Sequence, residues 1–108
     1  MSDSGIKYDQ DKIPLELLDR IPMEAIADVF GFGAKKYGRY NYKKGLAWSR
    51  LIGAAQRHLA AFNSGEDLDP ESGKSHLAHL GCCIFMLLEQ TKSHPELDDR
   101  YKPSSDAT

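Results

Sequence analysis

The chain has 108 residues, of which 41% are hydrophobic and 28% charged. That length holds one small domain, and the balance is that of an ordinary globular protein. A formal net charge of −2 gives no basic field to recruit nucleic acid or an anionic membrane, so neither is an expected partner.

The opening residues, Met1 to Gly5, carry no basic n-region and no apolar h-region, which argues against a secretory signal. Residues 1–8 and 94–108 are polar, the second stretch with Pro95, Pro103, Ser104 and Ser105, and both are expected to be flexible tails around one domain at 9–93. The first helical region starts at Pro14, breaks at Pro22 and resumes with Pro22 in its first turn. Met23, Ile26, Val29 and Phe30 then recur at helical spacing, and Gly31 and Gly33 are expected to loosen the end near Tyr37. A loop from Gly38 to Gly45 follows.

The second helix is expected from Ala47 to Asn63, with Trp48, Leu51, Ile52, Ala55, Leu59 and Phe62 as its apolar stripe and Ser64-Gly65 as its end. An acidic loop leads to a third helix, in which Asp69 caps and Pro70 occupies the first turn. From Leu77 to Leu88 that helix is apolar nearly all round, so it belongs in the core or an oligomer interface. The run is well short of the roughly 20 residues a bilayer span needs. Cys82 and Cys83 are adjacent and poorly placed to pair, so they read as reduced core residues in a cytoplasmic protein. No segment shows the alternation of a strand. The expected fold is all-α, a small helical bundle.

Three constellations carry chemistry. The first is acidic: Glu66, Asp67, Asp69 and Glu71 sit close enough to repel unless solvent or a cation offsets the charge. Clustered carboxylates suit Mg²⁺ or Mn²⁺; a solvated acidic turn complementing a helix dipole is the plainer reading. The second is imidazole. His76 and His79 share one helix face, and His58 lies on the second helix about two turns before the loop, so antiparallel packing brings the three together. Lone histidines on apolar stripes are usually core residues, but three converging beside four carboxylates point to a functional cluster. A zinc hydrolase would use such histidines, although no His-Glu-x-x-His or Cys-x-x-Cys pattern is present. The third is basic and aromatic: Lys35, Lys36, Tyr37, Arg39, Tyr40, Asn41, Tyr42, Lys43 and Lys44. It is either an ordinary solvated face or a surface that holds phosphate oxygens by charge and a base by stacking. Beside an acidic metal candidate, it favours a small phosphorylated ligand over a polymer. Gly31-Phe32-Gly33 is no phosphate loop, since no strand precedes it.

Lys12 in Asp9-Gln10-Asp11-Lys12, Gly33-Ala34-Lys35-Lys36-Tyr37-Gly38, Asn41-Tyr42, Arg57-His58, Gly65-Glu66, Asp69-Pro70-Glu71-Ser72-Gly73 and His76-Leu77-Ala78-His79 resemble the phage dATP/dGTP diphosphohydrolase family (MazZ-like). That family is related to the all-α MazG and HisE nucleotide pyrophosphatases. The resemblance covers roughly residues 7 to 90 and is most specific from Arg57 to His79. It implies hydrolysis of a purine deoxynucleoside triphosphate to the monophosphate and pyrophosphate with Mg²⁺ or Mn²⁺, the dGMP feeding synthesis of 2-aminoadenine phage DNA. It also implies subunits that pair their helices. MazG-type enzymes carry Glu-Glu-x-x-Glu on one helix and then Glu-x-x-Asp. Here no carboxylate falls between Leu46 and Asn63, while Glu66 to Asp69 does satisfy Glu-x-x-Asp.

The expected site therefore has Glu66, Asp69 and Glu71 as catalytic carboxylates, and adds His58, His76 and His79 to them as metal ligands. Lys35, Lys36 and Arg57 meet the phosphates, and Tyr37, Asn41 and Trp48, with Tyr40 and Tyr42, meet the rest of the substrate. The homo-oligomer, a dimer or tetramer, is expected to form through the third helix. The competing expectation is a non-catalytic helical interaction module that dimerises through that helix, with the acidic loop as plain surface.

Overall fold

The computed structural model describes residues 5–6 and 11–103. Among them the chain is all-helical, and its one piece of β-structure is an isolated antiparallel bridge between Leu68 and Ser75. Of the tails expected at 1–8 and 94–108, residues 1–4, 7–8 and 104–108 lie outside the described residues, as do Asp9 and Gln10.

A short 3-10 turn at Leu15–Leu17 precedes α1, Arg20–Tyr37. Pro22 falls in the first turn of α1, where its missing N–H costs no hydrogen bond. Gly31 and Gly33 do not loosen the helix, which runs through both to Tyr37. Each mid-helix glycine costs about 1 kcal/mol against alanine. Packing of Val29, Ile26 and Phe30 against the third helix offsets that cost. The helix stops at Gly38, whose φ of 95° is open to glycine and whose N–H donates to the Ala34 carbonyl at 2.8 Å.

α2 spans Trp48–Asn63 and α3 spans His76–Ser93. The two run antiparallel: the Leu46 N–H donates to Gln90 Oε1 at one end, and His58 meets His76 at the other. The core joins Val29, Ala78 and Cys82 with Ile26, Phe30 and Met86. Gly81 lets α1 approach α3, since a Cβ there would stand 2.7 Å from Ile26 Cδ1. Both cysteines are free and buried, and burial pushes the Cys82 thiol up to about 12.

α3 starts at His76, so the expectation that Asp69 and Pro70 open it is corrected. Ser75 is the N-cap and accepts the Leu77 N–H. The residues Asp69-Pro70-x-x-Gly73 serve a tight turn as readily as a helix start. Here they make the turn: Asp69 Oδ2 accepts the N–H groups of Glu71 and Ser72, and the Gly73 N–H donates to the Asp69 carbonyl at 2.7 Å. Gly73 then takes φ +73°, which cannot continue a helix.

Residues 94–103, expected to begin a tail, instead form a strap against the start of α2. The N-cap of α2 is Ala47, which has no capping side chain. Asp99 takes over that task by accepting the Ser49 N–H at 2.9 Å. The Arg100 guanidinium lies 5.0 Å from the Trp48 ring centre, and His94 Nε2 pairs with the Lys43 carbonyl at 2.9 Å.

Much apolar surface stays uncovered. Leu15, Leu17 and Ile21 before and at the start of α1 are exposed, as are Leu77, Ile84, Phe85 and Leu88 on α3.

Candidate active site

The mouth of the α2–α3 hairpin, the end of α1 and the acidic turn enclose an open cleft of ≈ 1050 Å³. Lys36, Tyr37 and Asn41 come from the α1 end and its loop, Arg57 and His58 from α2, Asp69 and Glu71 from the turn, and His79 from α3. Gly53 makes room for one of them: a Cβ there would lie 3.2 Å from an Arg57 guanidinium nitrogen, so the arginine folds back along its own helix.

A chain of contacts runs behind the cleft and reaches it through His58 and His79. His76, 4% exposed, pairs through Nε2 with Glu66 Oε1 at 2.6 Å and through Nδ1 with His58 Nδ1 at 2.9 Å. His58 stacks on His79, ring centres 4.6 Å apart and planes 11° from parallel. His79 Nε2 meets Ser72 Oγ at 2.7 Å, and Phe32 meets the His79 ring edge-on. The carboxylate of Glu66 is the acceptor on His76, so Nε2 carries the proton and a neutral His76 presents its lone pair at Nδ1.

The electrostatics follow from burial and crowding. Burial pushes the His58 imidazolium down, and the charges of His79 and His76 add to the effect. Burial likewise lowers His79, against an opposing pull from Asp69. For Asp69 burial works against ionisation, but hydrogen bonds from Ser72 and the nearby His79 and His58 together hold its carboxyl below the ordinary range. An ionised carboxylate beside neutral imidazoles is the ligand-ready state for a cation.

One donor atom from each of His58, Asp69 and His76 lies within 4.8 Å of the other two. The remaining expected ligands are arranged around that trio. Glu66 reaches it through His76, His79 lies against His58 with its Nε2 4.0 Å from Asp69 Oδ2, and the Glu71 carboxylate is held by Lys36 Nζ at 2.7 Å. Of the expected substrate contacts, Lys36, Tyr37, Asn41 and Arg57 line the cleft, joined by Tyr40 and Tyr42. Lys35 and Trp48 do not. Lys35 is exposed away from the lining, and Trp48 is buried in the apolar stripe of α2 beneath Arg100. Two residues outside the expected site set also matter, Ser72 from the Asp69–Gly73 motif and Gln90. Ser72 fastens His79, while Gln90, wholly buried, holds the loop behind Asn41 and Tyr42. No sequence signal marks Gln90, which sits in the polar stretch Glu89-Gln90-Thr91-Lys92 after the apolar run has ended.

Residues 2–100 match the model of a family described as dATP/dGTP diphosphohydrolase, N-terminal. A protein of Salmonella phage PMBT28 named dATP/dGTP diphosphohydrolase is 38% identical over 97 residues, covering 90% of this chain and 33% of its own. The chain thus spans about a third of the length of that relative. No solved structure matches the chain.

Proposed function

The chain belongs to the family of dATP/dGTP diphosphohydrolase N-terminal regions, and on that premise we propose that its cleft hydrolyses a purine deoxynucleoside triphosphate, dGTP or dATP, to the monophosphate and pyrophosphate. One observation carries the reading: a cleft of ≈ 1050 Å³ lined by Lys36, Arg57 and three tyrosines together with His58, Asp69 and His79 of the carboxylate–imidazole cluster. Lys36 and Arg57 draw in the phosphate oxygens, Lys36 exchanging its Glu71 partner for phosphate. Tyr37, Tyr40 or Tyr42 stacks on the purine. Asp69, His58 and His79 line the same cleft, and His79, whose imidazole burial keeps less basic than usual, is the proton acceptor for the attacking water. A divalent cation, Mg²⁺ or Mn²⁺ in the family resemblance, would supply phosphoryl polarisation and an acidified water when bound. Water oxygen joins the α-phosphorus, the bond to the bridging oxygen of the β-phosphate breaks, and pyrophosphate leaves.

The relative being phage-encoded, the place of action is the cytoplasm of an infected host, with dGMP as a precursor for modified DNA. A second copy of the chain covers the exposed face of α3. The test of the activity is product identity: dGTP or dATP with each metal should yield monophosphate and pyrophosphate in one step. Accumulation of dGDP and orthophosphate overturns the assignment, and no turnover of any nucleotide leaves a helical interaction module.

A further inference from the structure

We propose that His58, His76 and Asp69 form a two-imidazole, one-carboxylate site for a resident transition ion of the Fe²⁺–Co²⁺–Zn²⁺ class, with Glu66 orienting His76. The proposal deepens the hydrolase reading, and its functional meaning rests on that reading.

The first support is a distance. Two unprotonated ring nitrogens 2.9 Å apart repel, and the His58–His76 pair attracts only if one Nδ1 carries a proton or both lone pairs share a cation. Ligand atoms about 2.1 Å from one ion lie about 3.0 Å apart at right angles and about 3.4 Å apart in a tetrahedron. The observed gap is close to the right-angle spacing, and an ion is taken up as both rings turn their Nδ1 lone pairs towards it.

The second support is the outer partner. A metal-bound imidazole almost always donates its other N–H to a carboxylate or carbonyl, which fixes the tautomer and the ring plane. Glu66 does this for His76 at 2.6 Å and leaves Nδ1 as the lone-pair nitrogen facing His58. The third is preorganisation. Asp69 is fixed by two backbone N–H groups, and the His58 ring plane is fixed by its stacking on His79. His58 and Asp69 both line the cleft, so the remaining coordination positions open towards a bound phosphate.

The donor set decides the ion. Mg²⁺ takes oxygen ligands and keeps its waters, and Mn²⁺ also favours carboxylate and water. Two imidazoles favour ions further along the first row. The cluster thus fits neither of the ions that the family resemblance implies. Mg²⁺ enters instead with the triphosphate, whose oxygens are its ordinary ligands.

Co²⁺ is the probe, titrated into the chelator-treated full chain without nucleotide and followed by visible absorption. The expected result is one Co²⁺ per chain with imidazole-type bands, displaced by stoichiometric Zn²⁺ and unmoved by a roughly hundredfold excess of Mg²⁺. Glu66→Gln should weaken Co²⁺ about 10–100-fold with unchanged circular dichroism, and His58→Asn should abolish the bands. Absence of saturable binding, displacement by Mg²⁺ on equal terms, or unchanged affinity in both variants overturns the proposal. Hydrolysis of dGTP with Mg²⁺ by a chain that takes no Co²⁺ also overturns it and leaves the hydrolase reading standing. Co²⁺ binding by a chain that hydrolyses no nucleotide supports the site and removes the hydrolase reading alone.

Discussion

Asp69 Oδ2 stands 4.0 Å from His79 Nε2 while it accepts the N–H groups of Glu71 and Ser72. One carboxylate thus folds the acidic turn and faces the imidazoles. The two roles separate by substitution. Asparagine keeps an oxygen for the backbone groups, so Asp69→Asn should melt close to the parent while losing about 10–100-fold or more in dGTP turnover. Alanine removes both roles and should cost about 0.5–2 kcal/mol besides. Turnover and thermal unfolding of the two variants check this, and an active Asp69→Asn removes the carboxylate from the chemistry.

Glu71→Gln should be nearly silent in stability. The Lys36–Glu71 pair has side chains 43% and 64% exposed, and solvent screens so open a pair until it adds little to stability. Its effect should appear in KM for dGTP, because Glu71 holds Lys36 at the cleft in the free protein. A large drop in melting temperature would show that the turn depends on the pair.

The strap should be tightest in mildly acidic solution. Arg100 and Lys102 hold the Asp98 carboxyl well below the usual carboxylate range. A depressed acid contributes stability above its unfolded pKa, about 3.9, and loses it as pH falls through the folded value. Glu96, followed by the Lys43 carbonyl, raises the His94 pKa. That contribution is complete below the unfolded value, about 6.5, and is lost as pH rises through the folded one. Docking should peak between about pH 4 and 6.5. Trp48 emission, sensitive to Arg100 above its ring, reports it. His94→Gln should remove the alkaline limb alone.

The convergence of His58 with His76 and His79 was legible because it needs only helical spacing and one antiparallel hairpin. The start of α3 was not, since Asp69-Pro70 begins a turn or a helix equally well, and the decision lies in Gly73 and the Leu68–Ser75 bridge. Trp48 offered an aromatic ring for stacking and an apolar face for the core, and burial took it. The strap reads as a polar tail because Ser49, Trp48 and Lys43, which help to hold it, are far away in the sequence. The Glu66–His76 pair is likewise a product of packing, with no spacing rule to announce it.

The outer face of α3 gives a test of assembly. Phe85 and Leu88 are 54% and 66% exposed beside Phe30 and Tyr42, and with Glu89 they line a second hollow of ≈ 370 Å³. Phe85→Asp with Leu88→Asp should leave the helical content intact and shift the chain to monomer in sedimentation at micromolar concentration. An unchanged mass, or a monomeric parent, argues against pairing through this face.

Gln90 gives the last test. Its side chain is fully buried, takes the Leu46 N–H at 2.9 Å and donates to the Tyr42 carbonyl at 3.3 Å. One amide therefore pins two points of the loop that carries Asn41 and Tyr42 to the cleft. Leucine fits the volume but leaves the Leu46 N–H without its acceptor, while the Tyr42 carbonyl keeps the Gly45 N–H at 3.0 Å; the loss should cost about 1–3 kcal/mol. Glutamate keeps the acceptor for Leu46 but turns an oxygen towards the Tyr42 carbonyl, so it also destabilises. At temperatures where Gln90→Leu is still folded, the shifted Tyr42 wall should raise KM for dGTP more than it lowers kcat, because the imidazole cluster at the far end of the α2–α3 hairpin is untouched. A kcat loss with unchanged KM would show instead that Gln90 acts on the cluster through α3.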